Sequence, residues 1–183
     1  MVINKNRTPL QARDMTLIAL FAVLIAICSW LTIPAPIPLT MQTFAIFFTL
    51  LHLGGRCGIL CIILYLLMGA VGLPVFSGFQ GGLAVLLGPG GGYLLGFAVS
   101  AALFHLITAR SPNSPTRNIA GCIAALLICY VLGTFWYITF YGESSTLWGA
   151  LAVCVLPFII PDVIKLILAQ LLSRRLNSRL RRN

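Results

Sequence analysis

Charged side chains are scarce in this sequence of 183 residues, in which Asp and Glu together number 3 and Lys and Arg together number 12. Charged residues make up 8% of the chain, whereas a soluble domain carries about 25%. Hydrophobic residues reach 60%, and the mean hydropathy is +1.02. So little polar material cannot cover a water-facing surface, which excludes an ordinary soluble domain. The composition therefore predicts a polytopic membrane protein.

Two common signatures of chemistry are absent from the sequence. The cysteines form no Cys-x-x-Cys pair, and the Cys57/Cys61 spacing lacks the histidine or second cysteine pair that a metal site needs. We expect the cysteines to act as small buried hydrophobes, and we predict no metal and no cofactor. The glycine-rich stretch 72–92 has no Gly-Lys-Ser/Thr after it, so the chain itself is not expected to bind ATP.

The net charge of +9 does not indicate nucleic-acid binding, because the basic residues lie at the chain ends and in short loops. If the N-terminus is cytoplasmic, six spans place both termini and every basic residue except Lys165 on the cytoplasmic side, with Glu143 outside. Reading 41–71 as a single span would send the arginine-rich tail outside. The sequence thus predicts one all-α membrane domain over 1–183 with six transmembrane helices, at about 14–33, 41–53, 57–71, 93–108, 119–141 and 147–173.

Two regions depart from plain membrane helices. Segments 41–53 and 57–71 are short and are separated by glycines, a pattern that can mark a binding site in transporters. The alternatives are two apolar helices with a tight turn and a re-entrant hairpin. Residues 72–92 are too rich in glycine for a regular span, and irregular backbone at membrane depth must be covered by protein or line a cavity. We predict a glycine-rich extracellular loop between helices 3 and 4 that folds over a pocket.

Asp162 and Lys165 carry opposite charges within an otherwise apolar segment. At helical spacing they share one face, and each costs about 2.5–3.5 kcal/mol to insert at mid-bilayer. An intramembrane ion pair of this kind indicates a functional site; the alternatives are a structural salt bridge and a lysine that reaches the interface. A ligand that satisfies both groups presents an adjacent acceptor and donor, as a urea or an amide does.

Six motifs follow one another along the chain: Ile37–Thr43, Leu53–Gly58, Gly72–Gly78, Gly81–Gly82, Leu87–Phe97 and Pro161–Lys165. In this order they resemble the BioY family, the biotin-binding S components of energy-coupling-factor (ECF) vitamin transporters. The resemblance covers about residues 14–172, and Gly90 departs from it, since the family more often has threonine there.

The resemblance implies a six-helix protein that captures biotin near the outer face of the bacterial cytoplasmic membrane, without enzymatic activity of its own. Asp162 and Lys165 would hold the ureido ring, and the loop from Gly78 to Tyr93 would close over the vitamin. Ala22 and Ala26 would contact a membrane-embedded coupling subunit, with two cytoplasmic ATPases driving release. The implied substrate-binding residues are Asp162, Lys165, Gln42, Gly78, Gln80, Gly88, Gly91, Gly92 and Tyr93.

Three alternatives remain open at this point. The first alternative is an S component for another vitamin, such as thiamine or riboflavin. The second is a structural membrane subunit. The third alternative is an intramembrane enzyme that uses Asp162 or a histidine. His52 and His105 lie on apolar segments without a serine, cysteine or acidic partner at a recognisable spacing, which disfavours the enzyme.

Overall fold

The computed structural model describes residues 10–34, 37–111, 114–141 and 147–180, and most of them are helical. This architecture agrees with the predicted class of fold. Glu143, which the topology prediction places outside, lies beyond the described residues. In chain order the elements are α1 (Ala12–Trp30), β1 (Thr32–Ile33), β2 (Leu39–Thr40), α2 (Gln42–Leu53), α3 (Gly55–Ala70), a 3-10 turn (Ser77–Phe79), α4 (Leu83–Leu86), α5 (Gly91–Thr108), α6 (Pro115–Tyr141), α7 (Leu147–Cys154) and α8 (Leu156–Leu180).

The proline-rich segment after α1 forms a small antiparallel hairpin, which the all-α prediction did not include. Its strands β1 and β2 pair Thr32 with Thr40 and Ile33 with Leu39. Helix α1 ends at Trp30, before the predicted boundary at residue 33. Prolines have no backbone N–H and a fixed φ, so the prolines between the strands stop the helix and favour an extended, turning backbone.

Helices α2 and α3 lie where the sequence predicts two short segments. They contain 12 and 16 residues and join at Gly54, whose φ of +82° is a conformation that favours glycine. The prediction of six spans depends on this pair and stays a prediction. Over the described residues, the helical stretches long and apolar enough to cross a membrane number 4, namely Ala12–Trp30, Gly91–Thr108, Pro115–Phe140 and Trp148–Leu176.

The last predicted segment, 147–173, consists of two helices, α7 and α8, that are separated at Val155. Pro157 has no N–H to donate, and the Phe158 N–H bonds to the Val155 carbonyl at 2.9 Å in a tighter turn than an α-helix has. Helix α8 then continues to Leu180, beyond the predicted end of the segment. Pro157 therefore accompanies a break between two helices, whereas Pro161 lies inside α8.

Helix packing leaves a space at one end of the bundle. Helices α5 and α6 form an extensive pair, in which Gly133 of α6 lies against the ring of Tyr93. Helix α2 packs against α8, and α1 packs against α2 and α3. The space lies between α2, α5, α6 and α8, under the β1–β2 hairpin and the segment from Phe76 to Gly90.

Candidate ligand-binding site

A cavity of about 740 Å³ occupies this space. This volume falls within the range of about 300–1,000 Å³ that holds small-molecule ligands. The walls are mostly apolar, as is usual for such sites. Residues that line it are Thr32, Pro34, Ile37, Pro38, Thr40, Gln42, Thr43, Phe76, Ser77, Gly78, Gln80, Gly81, Ala84, Val85, Gly88, Pro89, Gly90, Tyr93, Leu94, Phe97, Leu126, Cys129, Tyr130, Phe158 and Asp162.

Asp162 and Lys165 form an ion pair at the base of the cavity. The Lys165 Nζ lies 2.8 Å from Asp162 Oδ1, and both residues are buried, at 5% and 2% exposure respectively. The ammonium also donates to the Thr40 carbonyl at 2.7 Å, which ties α8 to the hairpin. Asp162 lines the cavity, whereas Lys165 lies behind it and outside the lining. The predicted pairing of the two side chains is thus present, with the carboxylate as the group that faces the cavity.

Tyr130 completes the surroundings of the carboxylate. Its hydroxyl donates to Asp162 Oδ2 at 2.8 Å, so each carboxylate oxygen accepts one bond from the protein. A carboxylate has about four lone-pair sites, so both oxygens keep capacity for a ligand donor. Sequence reasoning missed Tyr130. The available signal was a tyrosine well inside an apolar helix, away from the interfaces where tyrosines usually lie in membranes.

Gln42 lies in the cavity wall at the start of α2 and is 4% exposed. Its Nε2 donates to the Tyr65 hydroxyl at 3.0 Å, and that hydroxyl donates to the Val75 carbonyl at 3.1 Å. Buried polar groups are expensive unless they are hydrogen-bonded, so this chain of bonds fixes the amide in place. It also joins the cavity wall to the glycine-rich segment.

The glycine-rich segment is held in place by further bonds at its base. Trp30 Nε1 donates to the Pro74 carbonyl at 2.9 Å, and the ring stacks on Phe79 with centroids 4.8 Å apart. Ser77 donates to the Thr32 hydroxyl at 3.1 Å, which links this segment to the hairpin. These contacts indicate that the glycine-rich segment is an ordered part of the fold and not a flexible linker.

The structure brings together part of the set of predicted loop residues. Gly78, Gln80, Gly88 and Tyr93 line the cavity, and so does Gly90. Gly91 and Gly92 lie in the first turn of α5 instead, against the Leu86 backbone and the Trp136 side chain, where a larger residue would collide. These two glycines therefore permit close packing and do not line the cavity.

Tyr93 has a second connection, to the break between α7 and α8. Its hydroxyl donates to the Cys154 carbonyl at 2.9 Å and lies 3.3 Å from Thr134 Oγ1. The Phe158 N–H bonds to Val155, so the Cys154 carbonyl lacks its usual helical donor and takes the tyrosine hydroxyl. One ring thus forms part of the cavity wall and satisfies a helix end.

Ala22 and Ala26, for which the resemblance implies a contact with a coupling subunit, face the neighbouring helices of the same chain. Both side chains are buried within the chain, at 0% and 3% exposure, in the core that α1 shares with its neighbours. The two alanines permit α1 to approach the other helices closely. Their contact with a coupling subunit stays a prediction.

The histidines of the enzyme alternative lie away from the cavity lining. His52 stacks on Phe21 and Phe48, with ring centroids 5.5 Å and 5.6 Å apart. His105 packs against Gly55 at the turn between α2 and α3. Within the part of the chain that the structure describes, no group of three or more His, Cys, Asp or Glu side chains is placed to hold a metal.

A cavity with a buried ion pair at its base, inside a bundle of apolar helices, defines a membrane-embedded solute-binding protein. A family model described as the BioY family matches residues 4–182. The chain belongs to the BioY family.

Two relatives and one solved structure illustrate the similarity. The chain is 39% identical to the biotin transporter BioY of Thermotoga maritima over 165 residues, which cover 90% of this chain and 95% of the relative. It is 35% identical to a probable biotin transporter BioY of Pyrococcus horikoshii over 168 residues, which cover 91% and 98%. The fold matches the crystal structure of the S-component for biotin from an ECF-type ABC transporter with a TM-score of 0.82 and 25% identity, over 97% of this chain and 95% of that one.

Proposed function

We propose that this chain captures biotin as the substrate-binding S component of an ECF-type vitamin transporter, without enzymatic activity of its own. The observation that carries the proposal is the buried pair of Asp162 and Lys165 at the base of a cavity of about 740 Å³. Two relatives that match nearly the whole chain, one named a biotin transporter and the other a probable biotin transporter, support the same ligand. A buried ion pair adds little net stability to a fold, because the cost of removing the two charges from water offsets much of their attraction. A role in ligand binding accounts for the pair better than a purely structural role.

The ureido ring of biotin fits the chemistry of the pair. Asp162 has lone pairs left to accept a ring N–H, because Lys165 and Tyr130 each use one site. The Lys165 ammonium has three N–H groups, and two of them bond to Asp162 and to the Thr40 carbonyl. The third would have to turn toward the cavity to reach the ureido carbonyl, because Lys165 lies outside the cavity lining. The apolar walls accept the rest of the molecule.

The predicted membrane arrangement and partners belong to the same proposal. We place the cavity at the outer face and the two termini in the cytoplasm, because Arg56, Arg110 and Arg174 lie at helix positions away from the cavity. Uptake against a gradient requires an energy source, for which we propose a membrane-embedded coupling subunit and two cytoplasmic ATPases. The protein whose structure matches is the S-component for biotin from an ECF-type ABC transporter, which supports the proposal of partner subunits.

Equilibrium binding tests the proposal. The full chain, purified in detergent and freed of ligand, is titrated with biotin, thiamine and riboflavin by calorimetry. We expect saturable binding of biotin alone, and binding of another vitamin in its place would overturn the assignment. Mass spectrometry of the protein as extracted is expected to detect bound biotin.

Two variants test the residues that carry the proposal. Asp162→Asn keeps the shape of the side chain and removes its charge, and Lys165→Ala removes the ammonium. Each change removes a hydrogen bond to a charged group, worth about 1.5–3 kcal/mol, and leaves the other charge buried without its opposite, so we expect biotin to bind at least about 10- to 100-fold more weakly. Gel filtration checks that each variant remains monodisperse, and near-normal binding by either one removes that residue from the site.

A further inference from the structure

The charges around the cavity are distributed very unevenly between its base and its mouth. Asp162 is the one charged side chain among the described residues that line the cavity, and it lies at the base with 2% exposure. The exposed lining residues form the mouth, and all of them are uncharged: Pro34, Gly78, Gln80, Ala84 and Pro89.

Three cations of the described residues, Arg110, Arg56 and Arg174, lie away from this mouth. Arg110 follows α5, whose first turn reaches the cavity, and is about 25 Å further along that axis. Arg56 lies at the α2–α3 turn, which packs near His105 at the same far end. Arg174 lies about 18 Å beyond Asp162 along α8. None of these guanidinium groups lines the cavity.

Biotin carries a carboxylate on its side chain, at the opposite end from the ureido ring. With the ring at Asp162, the side chain extends toward the mouth, where the lining offers hydroxyl, amide and backbone groups and no cation. A carboxylate that is partly exposed to water keeps its hydration, so it needs no buried partner. Negative charge at that end therefore adds little to recognition.

We infer that this site recognises the ring end of its ligand, and that the charge at the other end has little effect on affinity. It therefore accepts neutral carboxyl derivatives, the esters and amides of biotin, as well as the free acid. The substrate class includes biocytin, in which the carboxyl group is joined to lysine as an amide. This inference rests on the proposed function, since it takes the ureido ring to lie at Asp162.

Calorimetry on the ligand-free full chain compares four compounds: biotin, biotin methyl ester, biocytin, and 1′-N-methoxycarbonyl-biotin, which lacks one ureido N–H. We expect the ester and biocytin to bind within about fivefold of biotin, as for a solvent-screened charge. The compound with the altered ring is expected to bind about 100-fold more weakly, because it loses a bond to a buried carboxylate. A loss of about tenfold or more on esterification overturns the inference.

A charge placed at the mouth gives an independent test. Gln80 is exposed and lines the cavity, so Gln80→Lys adds a cation there without disturbing buried packing. We expect the preference for biotin over its methyl ester to rise by about threefold to tenfold relative to the unchanged chain, whereas Gln80→Met leaves the ratio near that of the unchanged chain. An unchanged ratio in the lysine variant places the carboxylate elsewhere and overturns the inference. Failure of biotin itself to bind overturns the proposed function, which distinguishes the two failures.

Discussion

The Tyr130 hydroxyl donates to Asp162 Oδ2 at 2.8 Å, across the gap between α6 and α8. Lys165 donates to the other oxygen of the same carboxylate at 2.8 Å, so the carboxylate is hydrogen-bonded by side chains from both α6 and α8. A charged acceptor makes each of these bonds stronger than a neutral one. The orientation of Asp162 toward the cavity is therefore set by both partners, and we expect Tyr130 to act on a ligand through the carboxylate.

Tyr130→Phe removes the hydroxyl and retains the ring. We expect biotin to bind about 10- to 100-fold more weakly, because one bond to a charged group contributes about 1.5–3 kcal/mol. Calorimetry with biotin measures the loss. The thermal unfolding midpoint of the ligand-free variant provides the control, since a large drop would indicate a general structural defect. Unchanged or tighter binding would contradict a positioning role for Tyr130.

The buried ion pair predicts a strongly non-additive effect on stability. Lys165→Met leaves the Asp162 carboxylate buried without its cation, and we expect a loss of about 3–5 kcal/mol. The double variant Asp162→Asn/Lys165→Met removes both charges and is expected to recover much of that loss, although the Thr40 carbonyl still lacks its donor. Thermal unfolding of ligand-free protein in one detergent compares the two. Equal destabilisation of the single and double variants would show that the charges do not depend on each other.

The bond between Tyr93 and the Cys154 carbonyl predicts a structural role for a residue that also lines the cavity. Tyr93→Phe leaves the carbonyl at the end of α7 without a donor, and a buried unsatisfied group costs about 1–3 kcal/mol. We therefore expect a lower unfolding midpoint in ligand-free protein as well as in the presence of biotin. Loss of binding with an unchanged midpoint would mean that the hydroxyl serves the ligand rather than the helix end.

Sequence patterns predicted much of this architecture because they report local properties. Apolar runs indicated where helices lie, glycines indicated irregular backbone between α3 and α5, and the spacing of Asp162 and Lys165 placed both on one helix face. Each of these inferences needs only residues that are neighbours in the chain. The prolines after Trp30 indicated the end of α1, but they did not show that the strands on either side would pair.

The contacts that the sequence did not reveal join distant parts of the chain. Lys165 and Thr40 are 125 residues apart, and their bond depends on the packing of α2 and α8. Tyr130 and Asp162 are 32 residues apart on helices whose relative rotation no local pattern fixes. The same limit explains the alanines of α1, because the spacing of two small residues shows that close approach is possible but not which neighbour approaches.

A pair of substitutions on α1 tests which face of that helix lies inside the fold. Ala22 is fully buried, and Ala22→Leu forces extra methylene groups into a packed core, which costs about 1–3 kcal/mol. Ala19 is exposed on the same helix, and Ala19→Leu is expected to change stability by less than about 0.5 kcal/mol. Thermal unfolding in detergent compares both variants with the unchanged chain. If Ala22→Leu instead keeps the unfolding midpoint of the unchanged chain and loses only its association with a coupling subunit, Ala22 faces the partner and the buried placement is wrong.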